Sequence, residues 1–256
     1  MDRNINLTEG KITSVLIKLA LPIMGTSFIQ MMYNLTDMMW LGRLSTKAAA
    51  AAGTAGFYMW IGASIMLICQ VGVSVGVAQG YGRQDFDDVR KHISNGMKFN
   101  LIIGIIYSLF LIVMRNKLIG FFELEDIETT KMAIEYLVIV ALGLVFHFTN
   151  PIFSAIYNAS GNSFLPFVVS SLGLIANMLL DPVLIFGLGP FPKLGIKGAA
   201  LATVLAQIIV SLVYLMVSRN NDLLFSQLNL LKLPEMDYIK KIFKLGFPAS
   251  LQSGVH

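Results

Sequence analysis

A single cysteine, Cys69, in 256 residues excludes three chemistries at once: an internal disulfide, a thiolate metal site and a CxxC redox pair. Charge is scarce too. Charged residues make up 13% of the chain, against about 25% in soluble domains. Hydrophobic residues reach 55%, so a soluble fold would have to hide six long apolar runs. Lys and Arg are missing from the interiors of those runs and gather at their ends. A cleavable signal pattern is missing as well: the first ten residues are polar, and the apolar run after them is too long for a signal-peptide core. These absences leave an all-α, multi-pass membrane protein.

The apolar runs place spans near 13–41, 50–80, 93–114, 131–157, 164–188 and 196–217, each at or above the roughly 20 residues that cross a bilayer. Short polar turns separate them, among them GRLSTK, YGRQDFDDVRKH, NASGNS and GPFPKLGIKG. With the N-terminus inside, the cytoplasmic segments hold Arg3, Lys11, Lys18, Arg83, Arg90, Lys91, Lys98, Arg219, Lys232, Lys240, Lys241 and Lys244. The outer segments hold Arg43, Lys47, Arg115, Lys117, Lys131, Lys193 and Lys197. This bias favours a cytoplasmic N-terminus. It also accounts for the basic loops without any nucleic-acid partner.

Against this apolar background stand two carboxylates, Asp37 and Asp181, each inside a span. A charged group at that depth costs about 2.5–3.5 kcal/mol on insertion scales, and such groups mark ion sites, proton relays or substrate counter-charges. Each lies about six residues, roughly 9 Å, from the outer end of its span, and Thr203 and Tyr136 lie at similar depth on two descending spans. Four spans thus bring polar groups to one outer-leaflet layer. Gln30, Tyr33, Asn34 and Asp37 follow i, i+3, i+4, i+7 spacing and form one helical stripe. Asn177 and Asp181 are four apart, so the amide can approach the carboxylate's ligand. Pro182 lacks an N–H and frees the carbonyl of Met178. Carboxylate, amide, hydroxyl and carbonyl oxygens are hard donors that suit Na⁺ or a proton. Asn150 and His147 read as interhelical contacts, with lining of the cavity as the alternative, Glu135 as a solvated interfacial acid, and the pairs Met31–Met32 and Met38–Met39 as lipid-facing or packing residues.

Beyond the polar stretch from Ser218 the chain starts again. IFKLGFPASLQSG, from Ile242, resembles LIKLALPIMGTSF, from Leu16, aligning Lys18 with Lys244, Leu19 with Leu245 and Pro22 with Pro248. The organisation expected is a six-helix lobe over 1–217, a cytoplasmic linker over 218–238, and the start of a second lobe over 239–256, cut short in a seventh helix. An even number of spans makes the second lobe a parallel repeat, related to the first by an axis along the membrane normal.

At these residues the sequence resembles the multidrug and toxic compound extrusion (MATE) transporters. The matching pieces are LTEGKI, YNLTDMMWLGRLS, VAQGYGRQDFDD, NASGNSFLP, NMLLDPVLIFGLG and GIKGAALATVLAQ, in the family's order across the first 217 residues. The pairing of NLTD with NMLLDP is its most specific part. The resemblance implies a twelve-helix, two-lobed antiporter exporting organic, often cationic, compounds against Na⁺ or H⁺, without an organic cofactor and without enzymatic activity. By position it implies a cation site at Asp37, Asn177, Asp181 and Thr203. Around it would lie a substrate cavity bordered by Gln30, Tyr33, Asn34, Tyr136 and Asn150. The partners implied are a small lipophilic or cationic substrate, membrane lipid and the second lobe that this chain lacks.

Two rival readings make different demands. A lipid-intermediate flippase would need a basic intramembrane groove. A membrane prenyltransferase would need acid-rich loops to hold Mg²⁺, which Asp85, Asp87 and Asp88 imitate; a solvated loop paired with Arg83 and Arg90 explains them as well. The topology yields the first prediction. Single cysteines at Ser45 and Gln84, probed from outside with an impermeant thiol reagent, should label at Ser45 only. Labelling at Gln84 and not at Ser45 would invert the arrangement.

Overall fold

The structure, a computed structural model, describes residues 12–219 and 233–253. The polar N-terminal stretch 1–10 and most of the expected linker (220–232) lie outside the described residues. Eight helices follow in order: α1 (Ile12–Leu44), α2 (Thr46–Gly82), α3 (Phe86–Gly120), α4 (Ile127–Leu142), α5 (Leu144–Ala159), α6 (Phe164–Phe186), α7 (Ile196–Arg219) and α8 (Met236–Ser253). Among the described residues there is no strand. Five of these helices, α1, α2, α3, α6 and α7, are long and apolar enough to cross a membrane; α4 and α5 together pass the same test as one span bent by 50°. The protein is therefore a multi-pass helical membrane protein.

The helices outrun the apolar runs because polar caps extend them. Ser45 accepts a hydrogen bond from the Ala48 N–H at 3.0 Å and opens α2. Asp85 accepts from the Asp88 N–H at 3.1 Å and starts α3 seven residues before the expected span. Asp126 caps α4 through Glu128 and Thr129. The Thr129 hydroxyl and the Lys47 ammonium hydrogen-bond to that carboxyl and hold it down at about 2. Each such cap satisfies N–H groups that a helix start leaves without partners.

The span expected over 131–157 is present but bent. It breaks at Gly143 into α4 and α5. A methyl at Gly143 would meet Val204 of α7 at 2.5 Å, so α7 presses directly on the break. Pro151, inside α5, also lacks the N–H that would bond back to His147.

Lipid tails are as apolar as leucine, so close packing rather than water exclusion joins helices in a bilayer, and small residues allow it. The α2 face fits this rule: Ala48, Ala51, Ala52, Ala55, Gly62, Gly72, Gly76 and Gly80 are all buried. Gly198 of α7 lies against the Leu184 carbonyl of α6, and Gly25 of α1 against the Phe167 ring, where an added methyl would fall 2.7 Å from the ring. Two cores result. One gathers Leu41, Tyr58, Tyr136, Leu137 and Phe148; the other gathers Cys69, Val73, Ile93, Phe153, Tyr214 and Ile242. By contrast α1 is largely uncovered, with Leu16, Leu21, Met24, Phe28 and Met31 all exposed.

Candidate functional site

Near the Leu44 end of α1, four helices converge on the two carboxylates. Asp181 and Asn177, on α6, are wholly buried, and the Asn177 amide donates to Asp181 Oδ1 at 3.3 Å. Their four-residue spacing puts both on the inner face of a helix that continues through Pro182 to a left-handed cap at Gly187. Tyr136, buried on α4, donates to Asp37 Oδ2 at 3.5 Å. Tyr33, one turn before Asp37 on α1, donates to the Thr203 carbonyl of α7 at 3.4 Å, with the side chains of Thr203 and Gln207 close by. Tyr33, Asp37, Tyr136 and Asp181 are electrostatic neighbours.

Three oxygens in this group are buried and without hydrogen-bond partners: Asp37 Oδ1, Asn177 Oδ1 and Asp181 Oδ2. An unpaired acceptor away from water is costly. Two carboxylate oxygens and an amide oxygen are the donor set that a hard cation takes, and a proton on either carboxyl would supply the missing donor.

The sequence-predicted residues divide at this point. Asp37, Tyr33, Tyr136, Asn177, Asp181 and Thr203 come together. Gln30 and Asn34 lie on the exposed flank of α1, because a stripe at this spacing is about 100° wide and α4 and α7 engage only its Tyr33–Asp37 flank. Asn150 is buried one layer further in. Its amide donates to the Gln207 carbonyl at 3.0 Å and to Gln207 Oε1 at 2.7 Å, and its oxygen accepts from the Ser211 hydroxyl at 2.6 Å. Gln207 thus anchors Asn150 beside Tyr33, a role that sequence reasoning missed. The signal was available: Thr203, Gln207 and Ser211 recur every four residues along α7 and form one polar stripe.

Elsewhere the charges are spent on each other. Glu135 pairs with Lys197 at 3.1 Å, and Lys47 with Asp126 at 3.0 Å and Glu128 at 2.7 Å. Arg83 pairs with Asp88 at 2.7 Å, Arg90 with Asp87, and Asp85 is the cap of α3. The three aspartates are therefore engaged as the solvated-loop reading expects, not convergent on a shared ligand.

Comparison with known proteins decides the family. A model of the MatE family matches residues 22–183, which include both NLTD and Asp181. The chain belongs to the MatE family. It is 30% identical over 96% of its length to the "Probable multidrug resistance protein NorM" of Thermotoga maritima, covering 52% of that protein. It is 25% identical over 90% of its length to the "Probable multidrug resistance protein YoeA" of Bacillus subtilis, covering 50% of it. The chain thus spans about half the length of the curated relatives it matches. Among solved structures, an outward-facing multidrug resistance MATE family transporter of the MOP superfamily superimposes with a TM-score of 0.85 at 25% identity, over 98% of this chain and 55% of that one.

Asn150 gives a stability test for this MatE lobe. Asn150→Leu strands the Ser211 hydroxyl and a Gln207 oxygen inside the bundle, which should cost about 1–3 kcal/mol. Thermal unfolding in detergent should show a clear drop in Tm, and a smaller one for Ser211→Ala. An unchanged Tm in Asn150→Leu would mean that the network is not formed.

Proposed function

We propose that this lobe is the cation-coupled half of a two-lobed antiporter that exports lipophilic, often cationic, compounds across the bacterial plasma membrane. The observation that carries the reading is the set of three buried, unpartnered oxygens on Asp37, Asn177 and Asp181 inside a membrane bundle. The family membership and the multidrug resistance relatives support the same substrate class.

The mechanism is exchange by competition. With both carboxylates ionised, the pocket carries two negative charges in a low-dielectric setting and attracts a lipophilic cation from the cytoplasmic side. Na⁺ from outside would be held by Asp37, Asp181, the Asn177 oxygen and the Thr203 hydroxyl; a proton would sit on Asp37 or Asp181. Either neutralises the field and releases the drug. Neutralising Asp37 changes its bond with Tyr136, and Tyr33 on the same helix holds α1 against α7. The first helix can then repack about Pro22 and Gly25, where Pro22 already lacks one backbone bond. Coupling requires that the cation favour the outward-releasing arrangement over the drug-loaded one.

Two carboxylate variants of the full-length protein test this. Asp37→Asn keeps the shape and removes the charge, so ethidium efflux should fall to the level of cells without the transporter while membrane insertion is retained. In Asp181→Asn, drug release should lose its acceleration by outside Na⁺ or low outside pH. Glu135→Gln, whose partner Lys197 lies on the exposed side, should keep that acceleration. Undiminished efflux by Asp37→Asn, or a parent-like cation response in Asp181→Asn, would remove these carboxylates from the coupling site.

A further inference from the structure

The region opposite the carboxylates carries a second polar arrangement that the transport mechanism does not use. Asp88, His92 and Asn95 recur at i, i+4 and i+7 on the first turns of α3 and face the start of α8. Tyr238 of α8 donates its hydroxyl to Asp88 Oδ1 at 3.0 Å. The other Asp88 oxygen takes the Arg83 guanidinium at 2.7 Å. His92, almost wholly buried, bonds the Asp88 carbonyl through Nδ1 at 3.0 Å and meets the Tyr238 ring edge-on at 4.8 Å between centroids. Asn95, also buried, accepts the Glu235 N–H at 2.8 Å just before α8 begins; its amide nitrogen is committed to the Lys91 carbonyl, which fixes the oxygen toward α8.

Glycines let α8 come this close. Gly72 of α2 lies against the Ile242 carbonyl, and Gly246 of α8 against the Ile68 carbonyl. A methyl at Gly76 would fall on the His92 ring. Ile242 is fully buried, in the same cluster as Cys69, which is also fully buried. The contacts at Ile68 and Gly72 lie in the half of α2 nearer Gly82, the half read as cytoplasmic.

We propose that Asp88, His92 and Asn95 form a lock that clasps the first helix of the second lobe to the first lobe on the cytoplasmic side, and that this lock opens before the lobe interior can load from the cytoplasm. The proposal rests on the two-lobe reading given above, in which α8 opens the second lobe. A part-buried set of bonds, one of them to a carboxylate, across a glycine-lined seam has two discrete states, made or broken, and this gives the seam the character of a switch rather than a gradual slide. Tyr238 is the part of it that belongs to α8. Removing its hydroxyl leaves the ring on His92 in place and deletes only the bond to Asp88.

Cys69 reports the state of the seam. In the full-length protein, with any cysteine other than Cys69 replaced by serine, the rate of N-ethylmaleimide labelling at Cys69 is measured for the parent, Tyr238→Phe, Asp88→Asn and Lys240→Gln. A hydrogen bond to a charged group is worth enough that its loss should speed labelling roughly tenfold in Tyr238→Phe, and at least as much in Asp88→Asn. Lys240→Gln, an exposed change beside the seam, should label like the parent. Should Asp88→Asn fail to insert, Tyr238→Phe alone decides. Parent-like labelling in Tyr238→Phe, or equal acceleration by Lys240→Gln, would overturn the lock. Labelling requires no transport, so a parent protein that exports no ethidium would sink the functional reading while leaving this test intact.

Discussion

Keeping two carboxylates inside a lipid-facing bundle is the constraint on which the rest of the lobe depends. Each carboxylate needs polar company that cannot come from water or lipid, and each neighbour drawn in must be satisfied in turn. Tyr136 serves Asp37, Asn177 serves Asp181, and Tyr33 lies between them. Tyr33 bonds the Thr203 carbonyl of α7, and one turn on Gln207 bonds Asn150, which bonds Ser211. The result is a group of neighbouring polar pairs spread over α1, α4, α5, α6 and α7, in helices whose outer faces are apolar. Satisfied networks of this kind rigidify a core, and an unsatisfied member is costly. The three oxygens left without partners are therefore the places where a cation or a proton has most to gain.

Missing backbone bonds recur in the helices of this group. Pro22 lies in α1, Pro182 directly follows Asp181, Gly143 is the bend between α4 and α5, and Pro151 lies inside α5 next to Asn150. In a bilayer, non-helical backbone survives only where protein or a polar cavity covers it. Here α7 supplies the cover, through Val204 against Gly143 and Gln207 against Asn150. The helices that carry the carboxylates are thus also those with a missing backbone bond, which lets a change of charge become a change of helix shape.

Much of this was legible in the sequence, for identifiable reasons. Hydropathy gave six spans because lipid imposes a length of about 20 residues on any crossing helix. Depth counted along those spans put Tyr136 and Asp37 in one layer, and the four-residue spacing paired Asn177 with Asp181, since both follow from helix geometry alone. The break at Gly143 escaped because an isolated glycine in an apolar run is neutral until a neighbour, here Val204, presses on it. Gln30 and Asn34 were grouped with Asp37 because spacing defines a stripe, whereas which flank is covered depends on where α4 and α7 pack. Gln207 went unnoticed because its importance lies in contacts with Tyr33 and Asn150 that span over fifty residues of sequence.

The central claim is that cation and drug answer to the same pair of carboxylates. Infrared difference spectroscopy of the full-length protein, recorded in Na⁺-free buffer as tetraphenylphosphonium is added, tests it most directly. The account predicts loss of a protonated-carboxyl C=O band as the lipophilic cation binds, reversal of that loss when the pH is lowered, and absence of the signal in a protein carrying both Asp37→Asn and Asp181→Asn. Binding of tetraphenylphosphonium with no carboxyl difference signal at any pH, or an undiminished signal in the doubly substituted protein, would contradict it.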